Sequence, residues 1–181
     1  MVRPRPAVTV IAAVAALLAA APSASAAGRA CSSANATASQ VSKRVLVRAT
    51  LCVLNAERAR HDLRPLRFNR KLSRAARRHS RAMARKRFFS HTSPGGTTFV
   101  DRIRRTGYLH GARNWNIGEN IAWGSGGLSA PRRIATAWMN SPGHRANILS
   151  RSFGSIGIGV AFFFNDTATT EIYTTDFGRR R

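Results

Sequence analysis

The stretch Trp138-Met139-Asn140-Ser141-Pro142-Gly143-His144-Arg145-Ala146-Asn147-Ile148-Leu149 is the most informative in the chain. It closes an apolar run, breaks it with Pro and Gly, and sets a histidine just past the break. The run opens at Pro131, a residue suited to the first turn of a helix. Ile134, Ala137 and Trp138 face inward from it, and the helix is expected to stop near Ser141-Pro142-Gly143. Two further stretches mix turn formers with one chemistry-bearing side chain. They are Phe89-Ser90-His91-Thr92-Ser93-Pro94 with Gly95-Gly96, and Gly118-Glu119-Asn120-Ile121-Ala122.

Helices are expected upstream of these stretches. Val47, Leu51 and Leu54 recur at the spacing of one buried face, giving a first helix from about Ser42 to His61. Arg44, Arg48, Arg58 and Arg60 fall mostly on its solvent side, and Asp62-Leu63-Arg64-Pro65 ends it. A second helix runs from near Asn69 to about Arg87, with Leu72, Ala75, Ala76 and Met83 inward. His79 shares that stripe and reads as a hydrogen-bonded core residue. Thr98 to Arg105 reads as a short helix ended by Gly107. Trp115 and Trp123 are placed in loops, where they can line a ligand groove; Trp138 reads as a core anchor.

The C-terminal part changes character. Ile156 to Ala161 and Glu171 to Thr174 read as strands of a small antiparallel sheet against the helices. The string from Phe162 to Thr174 stands apart: it resembles a translated sequencing-adapter read, so the native hairpin is expected to be overwritten there. Phe, Ile, Tyr and Thr nevertheless suit strands.

The N-terminus reads as a secretory signal peptide over residues 1–26. Arg3 and Arg5 precede an apolar run from Ala7 to Ala21, and Ala24-Ser25-Ala26 supplies the small residues of a cleavage site. Residues 27–41 are small and polar and read as a flexible arm, leaving residues 42–181 as the domain. The localisation implied is secreted, outside the cell. In an exported chain the two cysteines, Cys31 and Cys52, favour a disulfide that pins the arm to the first helix.

In this order and spacing, the three stretches resemble the CAP superfamily (cysteine-rich secretory protein, antigen 5, pathogenesis-related 1), in its bacterial secreted form. Leu54-Asn55-x-x-Arg58 and Tyr173-x-x-Asp176-Phe177-Gly178 extend the match. The resemblance implies an α+β fold, a three-layer α-β-α sandwich with a surface cleft. In many members two histidines and two acidic residues face each other in that cleft. His91, Glu119 and His144 match three of those positions; the fourth falls on Ser141, which leaves the site one carboxylate short.

Several chemistries fit two imidazoles and a carboxylate. They can hold a divalent cation such as zinc, which with an open position can activate water. Glu119 can instead fix the tautomer of one imidazole and leave it a general base. It can also be buried and satisfied, tying three loops together. Asn120 and Ser141 are expected to support the cleft, and Asn120, Arg145 and Asn147 to fix loops through backbone bonds. Ser90 and Ser141 lie near histidines in sequence, which does not make a triad.

Three functions follow: a binding module for a small ligand, lipid, glycan or cation; a metal-assisted hydrolase of the peptidase type; and a structural envelope protein. The formal charge of +23, with 27 Arg against 3 Lys, suits adhesion to an anionic envelope. Nucleic acid is not an expected partner, because the chain is exported and its Arg is scattered. A monomer is expected.

Overall fold

The computed structural model describes residues 31–164 and 169–181; the signal-peptide reading lies outside them. Four strands form one sheet in the order β1-β3-β4-β2. They are β1 (Arg67–Phe68), β2 (Trp115–Ser125), β3 (Ser155–Phe164) and β4 (Thr169–Arg180). β4 is antiparallel to both β2 and β3, and β1 runs parallel to β3. The helices are α1 (Lys43–Ala59), α2 (Arg70–Lys86), α3 (Phe99–Arg104), α4 (Pro131–Met139) and α5 (Pro142–Leu149).

The two-residue period of the strands sorts side chains onto two faces. On one face Ile156, Ile158, Val160, Tyr173 and Phe177 pack with Leu46, Val53 and Leu54 of α1 and Ile134 and Trp138 of α4. On the other, Ile121, Ala161 and Ile172 meet Met83 and Ala84 of α2. Helices on both faces of one sheet make the three-layer α-β-α sandwich expected from sequence.

α2 lies unusually close to β3. A Cβ built on Gly157 would sit 2.1 Å from the Leu72 carbonyl carbon, and one on Gly159 would sit 2.4 Å from that of Ala76. Both obstacles are backbone, so nothing can swing aside. Gly157→Ala is therefore expected to lower unfolding stability by about 3 kcal/mol, the upper end of ordinary overpacking. A change in urea midpoint smaller than for a surface Gly→Ala control would contradict this. The same closeness lets α2 hydroxyls serve the β3 backbone. Ile158 N–H donates to Ser73 Oγ at 3.0 Å, and Ser80 Oγ donates to the Gly159 carbonyl at 3.1 Å.

Several boundaries differ from the sequence reading. α2 is capped by Asn69, whose side chain accepts from the Lys71 and Leu72 N–H groups; α3 begins with a Thr98–Asp101 capping box. The helix opened by Pro131 ends at Met139, and past Ser141 the chain forms a further helix, α5, with Pro142 in its first turn. Trp115 and Trp123 lie in β2, not in loops. β3 and β4 are longer than expected, and Phe162–Phe164 pair with Thr169–Glu171.

Arg58 is a second correction. It is 2% exposed rather than solvent-side. Its guanidinium donates to the carbonyls of Arg64 (2.9 Å), Ile148 (2.7 Å) and Ser150 (3.0 Å). Five fixed N–H donors make Arg able to gather carbonyls that secondary structure leaves open. Asn55 does the same for Leu66, exchanging both hydrogen bonds with its backbone.

From Cys31 onward the segment read as a flexible arm is folded against the domain. Ala34 is buried and its carbonyl accepts from Arg132 N–H at 2.9 Å. The Cys31–Cys52 disulfide is present, with Cα atoms 5.6 Å apart. Replacing both cysteines by serine is expected to lower stability by about 3 kcal/mol. Equal thermal midpoints with and without reductant would show that the bridge contributes nothing. No helix among the described residues is long and apolar enough to cross a membrane.

Candidate functional site

Glu119 lies on β2 in direct register with Asp176 of β4. Both point to the face covered by α2. The Glu119 side chain is 1% exposed, yet both its oxygens are engaged. Oε2 accepts from Arg102 of α3 at 2.7 Å, and Oε1 accepts from His91 Nδ1 at 2.8 Å. Burial pushes the carboxyl up. The His91 hydrogen bond and the Arg102 charge and hydrogen bond outweigh that and hold it below the usual carboxylate range.

Arg102, 8% exposed, does more than neutralise Glu119. It donates to the carbonyls of His91 (2.9 Å) and Thr97 (3.1 Å), clamping the loop that carries His91. His79 Nε2 donates to the Ser90 carbonyl at 2.9 Å, next door in the same loop. It is a buried core histidine as expected, and burial brings it down to about 4, so it stays neutral. Its donating Nε2 leaves Nδ1 a bare lone pair with no partner among the described residues.

These bonds fix the chemistry of His91. Nδ1–H is given to an ionised carboxylate, so in the neutral ring Nε2 carries the free lone pair. The side chain is 49% exposed, so the ring is open to solvent. His144 sits in the first turn of α5. Burial and the nearby charge of His91 both lower it. Asn120 Nδ2 donates to the His144 carbonyl at 3.0 Å. Asn147 Nδ2 donates to Asn120 Oδ1 (2.8 Å) and to the Glu119 carbonyl (3.3 Å). Trp138 Nε1 likewise donates to the Ile121 carbonyl at 3.0 Å. The exposed edge of β2 is thus held by α4 and α5.

The structure therefore brings His91, Glu119 and His144 into one neighbourhood, with Asn120 supporting it. Ser141 is the N-cap of α5 without a side-chain capping bond. Arg145 contacts the His61 ring at 3.4 Å rather than a loop carbonyl. Ser90 Oγ accepts from Thr92 N–H at 3.2 Å.

A divalent cation on His91, Glu119 and His144 does not fit this geometry. Among the described residues no group of three or more His, Cys, Asp or Glu side chains could hold a metal ion. Arg102 adds an electrostatic obstacle: a guanidinium 2.7 Å from the carboxylate already supplies its countercharge and would repel a dication.

Two functional neighbours escaped the sequence reading. Arg102 looked like one more arginine on a short helix. Asp176 sets a second carboxyl beside Glu119 from the neighbouring strand, buried in the fold rather than at the position of Ser141. It is fully buried, and neither oxygen has a hydrogen-bond partner of ordinary geometry among the described residues. Burial and the Glu119 charge raise it well above the usual carboxylate range, which favours its protonated form. Extending the period-2 reading of the last strand to position 176 would have placed it inward. None of His79, His91, Arg102, Glu119, His144 or Asp176 falls within residues 162–174.

A helix-covered sheet carrying a histidine held by a buried carboxylate, beside a second histidine, defines a CAP-type domain. The chain belongs to the cysteine-rich secretory protein family, whose model matches residues 51–177. The Bacillus subtilis protein YkwD is 40% identical over 105 residues, covering 58% of this chain and 38% of that protein. The B. subtilis membrane protein YlbC is 30% identical over 110 residues, covering 61% of this chain and 30% of that protein. The chain thus spans well under half the length of these curated relatives. A solved extracellular SCP-domain protein from Bacillus anthracis superposes with a TM-score of 0.62 at 31% identity, covering 76% of this chain and 41% of that one. An outer surface protein of Borrelia burgdorferi shares the fold with a TM-score of 0.60 at 20% identity, covering 78% of this chain and 97% of its own.

Proposed function

We propose that the chain is an exported binding module whose cleft takes a small polar ligand, of the glycan class, on His91. The reading rests on one observation above all: both oxygens of Glu119 are committed to Arg102 and His91, which turns a fixed Nε2 acceptor outward. Such a group accepts a hydrogen bond from a ligand hydroxyl. Exposed Phe89 and Trp123 support the choice of a glycan, because sugar rings bury an apolar face on aromatic side chains. Phe89 lies two residues before His91, and Trp123 lies on the same strand as Glu119. The export reading is supported by the disulfide and by relatives described as extracellular or outer-surface proteins.

Titrating isotopically labelled protein with tri-N-acetylglucosamine tests the reading. Shifts are expected at the His91 ring and the Trp123 indole, and are lost in His91→Ala. Shifts that survive His91→Ala, or that fall only outside the cleft, would overturn it. The Glu119–His91 dyad also equips His91 to accept a proton, which favours a general-base hydrolase as a second reading. That reading predicts turnover of a saccharide or peptide substrate, abolished by His91→Gln; saturable binding without turnover leaves the module reading standing.

A further inference from the structure

A groove of about 760 Å³ opens away from the residues of the cleft, between the loop after α1, β1, the turn before β3 and the end of β4. Arg58, Arg64, Arg67, Arg151, Arg179 and Arg180 line it, against Asp62 as the one acidic side chain of the lining. The side chains of Arg64, Arg67, Arg151 and Arg179 make no ion pair or hydrogen bond among the described residues. Arg58 is held there by three carbonyls, so it cannot retreat. Burial lowers it, and the charge of Arg179 lowers it further. The groove adjoins a second depression that shares Arg151 and Arg179 and carries Trp115 and Arg181.

We propose that this groove binds an extended phosphate-bearing polymer of the cell envelope. Several guanidiniums along one groove, those of Arg64, Arg67, Arg151 and Arg179, suit an oxyanion with more than two acceptor oxygens, approached from several sides; a carboxylate offers only one edge. The run of arginines through two adjoining depressions suits a chain with repeating charge rather than a single ion. The choice of envelope polymer over nucleic acid rests on the extracellular placement proposed above. The groove shares no residue with the His91–Glu119 cleft.

The test measures binding of inorganic polyphosphate, poly-glutamate and a single-stranded oligonucleotide, matched in charge number, across a salt series. Polyphosphate is expected to bind at least tenfold tighter than poly-glutamate and tighter than the oligonucleotide. Arg151→Ala/Arg179→Ala should weaken polyphosphate at least tenfold and lower the salt slope by about 2. Arg74→Ala/Arg78→Ala, on the exposed side of α2, should change it less than twofold. The exposed Arg151→Ala alone should give a partial loss with an unchanged melting temperature, separating binding from folding. Equal weakening by both pairs would mean diffuse charge attraction and overturn the proposal. Poly-glutamate binding as tightly as polyphosphate would overturn phosphate recognition, and tighter oligonucleotide binding would overturn the choice of polymer. None of these outcomes depends on the His91 cleft.

Discussion

Glu119→Gln combined with Asp176→Asn is expected to destabilise the domain by about 3–5 kcal/mol, the loss seen when a buried ion pair is broken on one side. Arg102 is then left buried with no carboxylate to face. Glu119→Gln alone should lose distinctly less. Burial and the Glu119 charge hold Asp176 well above the usual carboxylate range, which favours its protonated form. Once that charge is gone, Asp176 can ionise and take over as countercharge, because Arg102 already acts on it electrostatically. The two substitutions are therefore strongly non-additive, as expected for groups in one network. Urea unfolding of wild type, both single variants and the double variant at pH 7 measures the cycle. Losses that add to within about 0.5 kcal/mol would show that Asp176 does not substitute for Glu119.

Asp176→Asn alone is expected to raise stability at pH 7, an unusual outcome for a fully buried position. The sign follows from proton counting. Above about pH 4 the unfolded chain has released the Asp176 proton, whereas the raised folded value keeps it on the folded chain to higher pH. The folded state then binds one more proton than the unfolded state, so stability falls as pH rises, by at most about 1.4 kcal/mol per pH unit, until the folded group itself ionises. Asparagine keeps the shape, offers an N–H donor toward Glu119 and has no proton to lose. The gain over wild type should be largest near neutral pH and vanish below about pH 4, where aspartic acid is neutral in both states. Glu119 contributes the opposite slope. Its lowered folded value gives stability present above the ordinary carboxylate range and lost as pH falls through the folded value. Thermal melts of the two proteins from pH 3 to 8 separate these contributions. A variant less stable than wild type at pH 7 would mean that Asp176 is ionised in the fold.

Much of the helical half of the fold was legible because its periodicity is local. α1 and α2 are found within two residues of their expected ends, since apolar spacing and the Asn69 and Asp62 signals act over one or two turns. His79 and Trp138 were also legible as core residues, because a side chain on an apolar stripe has few other places to go. β2 was not legible as a strand. Its inward Glu119 and its Gly118 and Gly124 break the alternation that a half-buried strand usually shows. Gly118 is free of a side chain because Asn147 Oδ1 would lie 2.9 Å from its Cβ, a contact made by a helix well over twenty residues further on. Arg58 was misplaced for a similar reason: the carbonyls that bury it belong to α5 and the loop after α1, not to its own helix.

The candidate site divides along the same line. By itself the sequence determined that the two cysteines of an exported chain favour a bridge and, through its family resemblance, that His91, Glu119 and His144 are the residues to examine together; the structure shows the bridge. Only the tertiary structure decided what those groups can do. The pairing of β2 with β4 sets Asp176 opposite Glu119, and the docking of α3 delivers Arg102 to the carboxylate. Protonation and charge balance depend on burial and on neighbours a few ångströms away. Those neighbours come from strands and helices remote in the chain, and no local pattern records their approach.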